Sequence, residues 1–284
     1  MKKVIVSMLA VAGMAMAANA ADTTLRYEVS ADGGATWSSS VNALPGTHIQ
    51  VRARVAYSGT AQVFGLSQLV FQPIVSNWAD TLDNTGPLSN QIGPTGGSRT
   101  TPLGTVDDAS GAFGRITPFG ANAITTTAYI RGFVGTGANA GMLRIAQAFV
   151  TNWIGTGTNA NNATGAAGVS VAQIAPGTRL PTDPAYSDSN DVVVFKFGFT
   201  LNADSTARTL GIDTPVAGLG KETSSTTGHL GELYASWFTS SQAAQGTRFY
   251  GSVGTEAASV NVVPAPGALA LVGLGGLVAT RRRR

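Results

Sequence analysis

Two segments alternate apolar and polar residues with a period of two over about ten positions each, and that pattern commits the chain to sheet. In residues 192–201, Val193, Phe195, Phe197, Phe199 and Leu201 fall on one side, with Lys196 and Thr200 on the other. In residues 48–57, Ile49, Val51, Ala53, Val55 and Tyr57 alternate with His48, Gln50, Arg52 and Arg54. A helix would scatter such residues around its circumference. As strands, both segments bury one face and wet the other, so each needs a second layer over its apolar side.

The rest of the chain reads the same way. Leu25, Tyr27 and Val29 form a shorter strand ahead of a turn at Asp32, Gly33 and Gly34. Further strands are expected at residues 66–75, 124–134, 169–174, 207–212, 232–238, 247–253 and 258–263, separated by Gly, Thr, Asn and Asp clusters suited to turns. Met142, Ile145, Ala146 and Phe149 stand at helical spacing, yet their run fits a strand equally well. About ten strands with almost no helix indicate an all-β body, a single β-sandwich of which the jelly roll is one form. Stretches 84–113 and 155–168 exceed ordinary connection lengths and read as binding or surface loops. Without a repeat of 20–50 residues or a linker, residues 21–262 read as one domain.

Composition narrows the function. Charged residues make up 12% of the 284 and apolar residues 43%, a balance unlike disordered chains or coiled coils. The formal charge of +3 suggests a nucleic-acid partner only until it is mapped. Lys2, Lys3, Arg281, Arg282, Arg283 and Arg284 sit in two terminal clusters; without them 12 basic residues face 15 acidic ones. No nucleic-acid partner is therefore expected. Zero Cys excludes a thiolate nucleophile, a disulfide and a Cys-bound metal.

Both ends read as addresses. Lys2 and Lys3 precede an apolar stretch from Val4 to Ala17, and Ala18-Asn19-Ala20 supplies a small-x-small cleavage pattern, so residues 1–20 are expected to be a signal peptide cut after Ala20 or Ala21. At the other end, Val263-Pro264-Ala265-Pro266 leads into an apolar run at residues 267–279, then Thr280 and four arginines. The prolines stop an upstream strand and can open a helix. Thirteen residues span roughly 20 Å as a helix, short for a bilayer core of about 30 Å. Four adjacent arginines gain nothing in a buried helix, whereas at the cytoplasmic end of a spanning segment they orient it.

Residues 263–284 resemble a PEP-CTERM sorting signal, a module also known as the ice-binding-protein C-terminal domain: a Pro-x-Pro motif (Pro264, Ala265, Pro266), a short transmembrane segment and a terminal Arg block (Arg281, Arg282, Arg283, Arg284). Ala265 stands where that family usually has Glu. The resemblance implies a bacterial exported protein, recognised by an exosortase-like membrane transpeptidase that cuts near the motif and passes the body to the cell surface or its polysaccharide matrix. It covers 22 residues and bears on address rather than activity.

Within the body, Ser30-Ala31-Asp32-Gly33-Gly34-Ala35-Thr36-Trp37 matches the Asp-box of sialidases and other β-propellers, a hairpin turn remote from catalysis. One copy cannot build a propeller, so the segment reads as a structural hairpin with Trp37 packed beneath it. Two G-x-G-x-x-A matches, at residues 135–140 and 155–160, lack the helix and the acidic residue of a dinucleotide site. Ser170 approaches a nucleophile elbow without its second Gly. His48 and His229, the only imidazoles, read as surface residues. Asp107 with Asp108, and Asp183, Asp188 and Asp191 near Ser187 and Asn190, are hard oxygen donors that could suit a structural calcium ion, though turn residues are the simpler reading. Trp37, Trp78, Trp153 and Trp237 either pack in the core or, if exposed, stack on sugar rings.

The expectation is a non-enzymatic, cofactor-free exported protein at the cell envelope, surface or extracellular matrix, with a structural or interaction role. Its partners are the secretion machinery, an exosortase-like enzyme and, through the tail before processing, the membrane. The alternative is a carbohydrate-binding β-sandwich that takes extracellular polysaccharide.

Overall fold

A computed structural model of the chain describes residues 22–78, 83–84, 114–119, 128–134, 141–149, 169–183, 186–202, 206–214, 233–243, 248–251 and 253–263. These contain sixteen strands. In chain order they are β1 (Thr23–Ser30), β2 (Ser40–Ala43), β3 (His48–Tyr57), β4 (Leu66–Phe71), β5 (Ile74–Ser76), β6 (Asp83–Asn84), β7 (Gly114–Arg115), β8 (Ala128–Val134), β9 (Met142–Phe149), β10 (Val169–Ala172), β11 (Asp191–Leu201), β12 (Arg208–Asp213), β13 (Tyr234–Phe238), β14 (Arg248–Gly251), β15 (Val253–Glu256) and β16 (Ala258–Val262). The helical content of the described residues is a 3-10 turn at Pro176–Thr178. The protein is all-β, as the period-two pattern requires.

The strands form three sheets. The first runs β15-β1-β3-β11-β6, with β7 also on β11; the second runs β2-β16-β12-β5-β9-β8; the third runs β10-β4-β13-β14. The spine of the first sheet is β1, β3 and β11, paired antiparallel, with Glu28 opposite Arg52 and Arg52 opposite Lys196. Its inner face carries Leu25, Tyr27, Val29, Ile49, Val51, Ala53, Val55, Phe195, Phe197, Phe199 and Leu201, all buried. They share one apolar cluster with Leu66, Leu69 and Phe71 of β4, Leu210 and Ile212 of β12, and Val260 and Val262 of β16. The core is thus the space between the first sheet and the other two.

Aromatic contacts bind these layers. Phe71 meets Phe195 edge-on at 5.9 Å, Trp78 meets Phe199 edge-on at 5.5 Å, and Tyr57 tilts against Trp237 at 5.3 Å. Such pairs add about 0.5–1.5 kcal/mol each beyond area burial. Two buried polar links accompany them: Trp237 Nε1 donates to Thr23 Oγ1 at 2.9 Å, and the Tyr27 hydroxyl bonds Thr214, whose own hydroxyl donates to the Gln72 carbonyl at 2.9 Å. Burial pushes the Tyr27 phenol well up from its ordinary range, so it stays neutral and can remain inside.

Three sequence expectations change and one open reading closes. Residues 66–75 are not one strand: Gln72 and Pro73 separate β4, in the third sheet, from β5, in the second. Pro73 has no N–H to continue a ladder, and its carbonyl takes the Ile145 N–H instead. Residues 247–253 likewise divide between β14 in the third sheet and β15 in the first. Val193 does not share a face with Phe195, because the ladder slips between them and Val194 stands as an extra residue. Met142–Phe149, ambiguous by spacing, is a strand paired with β5 and β8. Strand β2 is unexpected: its polar–apolar alternation, Ser40-Val41-Asn42-Ala43, lasts only four residues, and it forms as a parallel partner of β16.

Candidate functional site

The outer face of the first sheet concentrates polar chemistry. Outward residues of β1, β3 and β11 form rows across it: Arg26, Arg54 and Val193; Glu28, Arg52 and Lys196; then Gln50 beside Gly198; and His48 beside Thr200. Over these rows folds the turn after β1. The Ser30 hydroxyl accepts the Gly34 N–H at 2.9 Å and donates to Asp32 Oδ1 at 2.7 Å. Asp32 also accepts the Thr36 N–H at 3.0 Å and the Thr36 hydroxyl. Those bonds, led by the hydroxyl, hold the Asp32 carboxyl well below the usual carboxylate range. Gly33 and Gly34 take φ of 76° and 90°, a left-handed conformation that L side chains resist, and so allow the chain to reverse. Val29 and Ser38 then pair through both backbone bonds.

The turn aims Trp37 back at the sheet. Its indole N–H donates to the Gly34 carbonyl at 3.0 Å. The Arg52 guanidinium lies 4.5 Å from the ring centroid, and the Lys196 ammonium 5.7 Å from it. Arg52 is paired through Nε with Glu28. Lys196 has no carboxylate partner among the described residues. Partial burial, and then repulsion from Arg52, push its ammonium below the ordinary lysine range. Trp37 stays half-buried, the only described Trp outside the core; Trp78 and Trp237 are 3% and 0% exposed.

A second cluster braces the face. Asp191 accepts Arg54 Nε at 2.6 Å and Arg54 Nη2 at 2.9 Å, and Arg26 Nη2 at 3.2 Å. The Arg54 bonds chiefly hold its carboxyl below the ordinary range. His48 Nδ1 lies 3.1 Å from Thr200 Oγ1, and burial lowers its pKa. Its ring fills the space above Gly198, where an added Cβ would stand 2.9 Å from Cε1.

The remaining sequence candidates do not converge on this face. Asp183 accepts the Leu180 N–H, and Asp188 lies along an open cleft of about 440 Å³ with Tyr57, Gly59, Gln62 and Asn190. With Asp191 committed to two arginines, the three aspartates do not assemble the calcium site considered from sequence; no three ligating side chains group among the described residues. Ser170 lies inside β10 and accepts the Gln68 amide at 3.3 Å, so it has no elbow geometry. His229, Trp153, Asp107, Asp108, both Gly-rich matches, the cleavage residues Ala18 and Ala20, and Pro264, Ala265, Pro266 and Arg281 to Arg284 lie outside the described residues. Among the described residues, no helix is long and apolar enough to cross a membrane.

Sequence reasoning placed Arg52 and Lys196 on polar strand faces and Trp37 beneath a turn without joining them. The antiparallel register of β3 and β11 was the missing piece.

No family model and no curated protein matches the chain. Among solved structures it is similar to the seventh ScaB type I cohesin from Pseudobacteroides cellulosolvens, at 9% identity over 86% of this chain and 93% of that one, with a TM-score of 0.37. It is also similar to CaCohA2 from Clostridium acetobutylicum, at 9% identity over 84% and 91%, with a TM-score of 0.36. Likeness of that degree does not establish a shared fold. The all-β assignment rests on the sheets of this chain.

Proposed function

We propose that this chain is an exported bacterial surface or extracellular-matrix protein, sorted by its PEP-CTERM-like tail and serving a structural or interaction role without catalysis. One observation carries the reading: a signal-type N-terminus and a Pro-Ala-Pro, apolar and Arg tail enclose a Cys-free β-body. Three carboxylates on and above the outer face of the first sheet support it. Asp32 is spent in a turn, Glu28 on Arg52, and Asp191 on Arg26 and Arg54. General acid–base chemistry needs such groups aimed at a substrate.

The test is the mass of the mature C-terminus in fractionated native cells. A body ending near Pro264 to Pro266 in the surface or matrix fraction is the expected result. An intact tail through Arg284 in a cytoplasmic fraction overturns the reading, as does hydrolase activity abolished by one Asp→Ala change. A second reading, a polysaccharide-binding body, is favoured by one specific observation: Trp37 lies on the outer face of the first sheet.

A further inference from the structure

We infer that the cleft between the end of β3 and the start of β11 binds a neutral sugar, its hydroxyls taken by the Tyr57 hydroxyl, the Asp188 carboxylate and the Asn190 and Gln62 amides. The inference goes beyond the polysaccharide-binding reading, which stands on Trp37, by assigning a site on other residues.

Tyr57 closes β3, is 7% exposed and lines this cleft of about 440 Å³. Its ring is fixed by Trp237, tilted at 5.3 Å, and by Phe249, edge-on at 6.1 Å. Its hydroxyl oxygen is shut off from water and has no hydrogen-bond partner among the described residues. Buried tyrosines ordinarily find one, because an unpaired buried hydroxyl costs stability. Gly59 lies against this oxygen, and a Cβ there would collide with it. A residue larger than glycine at position 59 would therefore drive the hydroxyl from its place beside the cleft.

The two segments that line the cleft are tied to the body. Past the first, the Phe64 N–H bonds the Phe238 carbonyl at 2.9 Å, and the Tyr186 hydroxyl donates to the Phe64 carbonyl. At the second, the buried Gln173 amide accepts the Ser187 N–H at 3.0 Å and donates to the Ser187 carbonyl at 2.7 Å. The Asn190 carbonyl takes the Tyr57 N–H at 2.8 Å, and the Ser189 hydroxyl is spent on the Asp191 backbone. Segments so held meet a ligand with little left to order. The side chains of Gln62, Asp188 and Asn190 make no hydrogen bond among the described residues. These groups also sort the ligand. Asp188 is the only charged residue on the lining, so the cleft repels anions. The amides and the phenol each donate and accept, as sugar hydroxyls do, whereas an ammonium or guanidinium only donates and would leave the amide N–H groups without acceptors. Ala61 and Val63 add apolar surface for the C–H side of a sugar ring.

The experiment titrates the full-length chain, in detergent, with maltohexaose, cellohexaose and mannohexaose, and separately with calcium chloride, by calorimetry. At least one hexaose is expected to bind, weakened about tenfold by Tyr57→Phe and by Asp188→Ala. Tyr57→Phe is also expected to melt at or above the wild-type temperature, because it removes a hydroxyl that has no partner in the free protein. A lower melting temperature would show that the hydroxyl is already bonded and would overturn the inference. So would calcium binding that Asp188→Ala removes, which would make the cleft a cation site. A hexaose that binds both variants as it binds wild type, yet is lost with Trp37→Ala, would overturn the cleft and leave the polysaccharide-binding reading standing. No binding of any hexaose would sink the two together.

Discussion

Asp191 carries two guanidinium groups at once. Its oxygens accept from Nε and Nη2 of Arg54 and from Nη2 of Arg26, joining β11 to β3 and across to β1. With its side chain 36% exposed, the cluster is screened by water, so Asp191→Asn is expected to lower unfolding free energy by about 0.5–1 kcal/mol at neutral pH, measured by urea titration. The sign with pH follows from the lowered carboxyl pKa. The stabilisation is fully present above the ordinary Asp value of about 4 and is lost as pH falls through the lower folded value. The difference between wild type and variant is therefore expected to shrink in acid. A gap that stays constant between pH 7 and pH 3 would refute the ion-pair account. Sequence placed Arg54 on a polar face and Asp191 in a cluster of loop aspartates. It could not show that they meet, because they lie 137 positions apart and only strand pairing joins them.

At the scale of the element, β11 decides which groups reach that outer face. Counted back from Phe195 with strict alternation, Val193 and Asp191 would point inward. The extra residue at Val194 reverses the phase: Val192 is buried opposite Val55, while Val193 stands opposite Arg54. Deleting Val194 is expected to make the ladder regular, with Val193 next to Phe195 and still opposite Arg54, so Asp191 keeps its two arginines and only the buried Val194 side chain is lost. Losing a fully buried Val costs about 1.5–3 kcal/mol, so the variant should unfold at a lower denaturant concentration while Asp191→Asn still costs it as much as it costs the wild type. A deletion variant in which Asp191→Asn has no effect would show that the phase on either side of the bulge is not set by the pairing of Val193 with Arg54. Period-two reading missed this feature because three valines in a row fit either phase. It also joined β4 to β5 and β14 to β15, since an apolar run continues through a change of sheet as readily as along one strand.

Across the whole molecule, two buried links hold the layers in place: Trp237 to Thr23, and Tyr27 through Thr214 to the Gln72 carbonyl. A double-mutant cycle with Trp237→Phe and Thr23→Val is expected to give a coupling energy of about 0.5–1.5 kcal/mol, read from denaturant unfolding. Additive effects would mean the bond contributes nothing to joining the sheets. From its sequence alone the chain is committed to strands, to the Asp32 turn, to a polar outer side on β3 and to two address-like ends. Each of those follows from sterics, charge or hydropathy within a few neighbouring residues. Only the tertiary structure decided which strands are neighbours, where the ladder slips, that the second layer is two sheets, and that Trp37, Arg52 and Lys196 share one face. Those choices are set by burial summed over the whole chain, in which partners such as Arg52 and Lys196 are brought together by the register of β3 against β11.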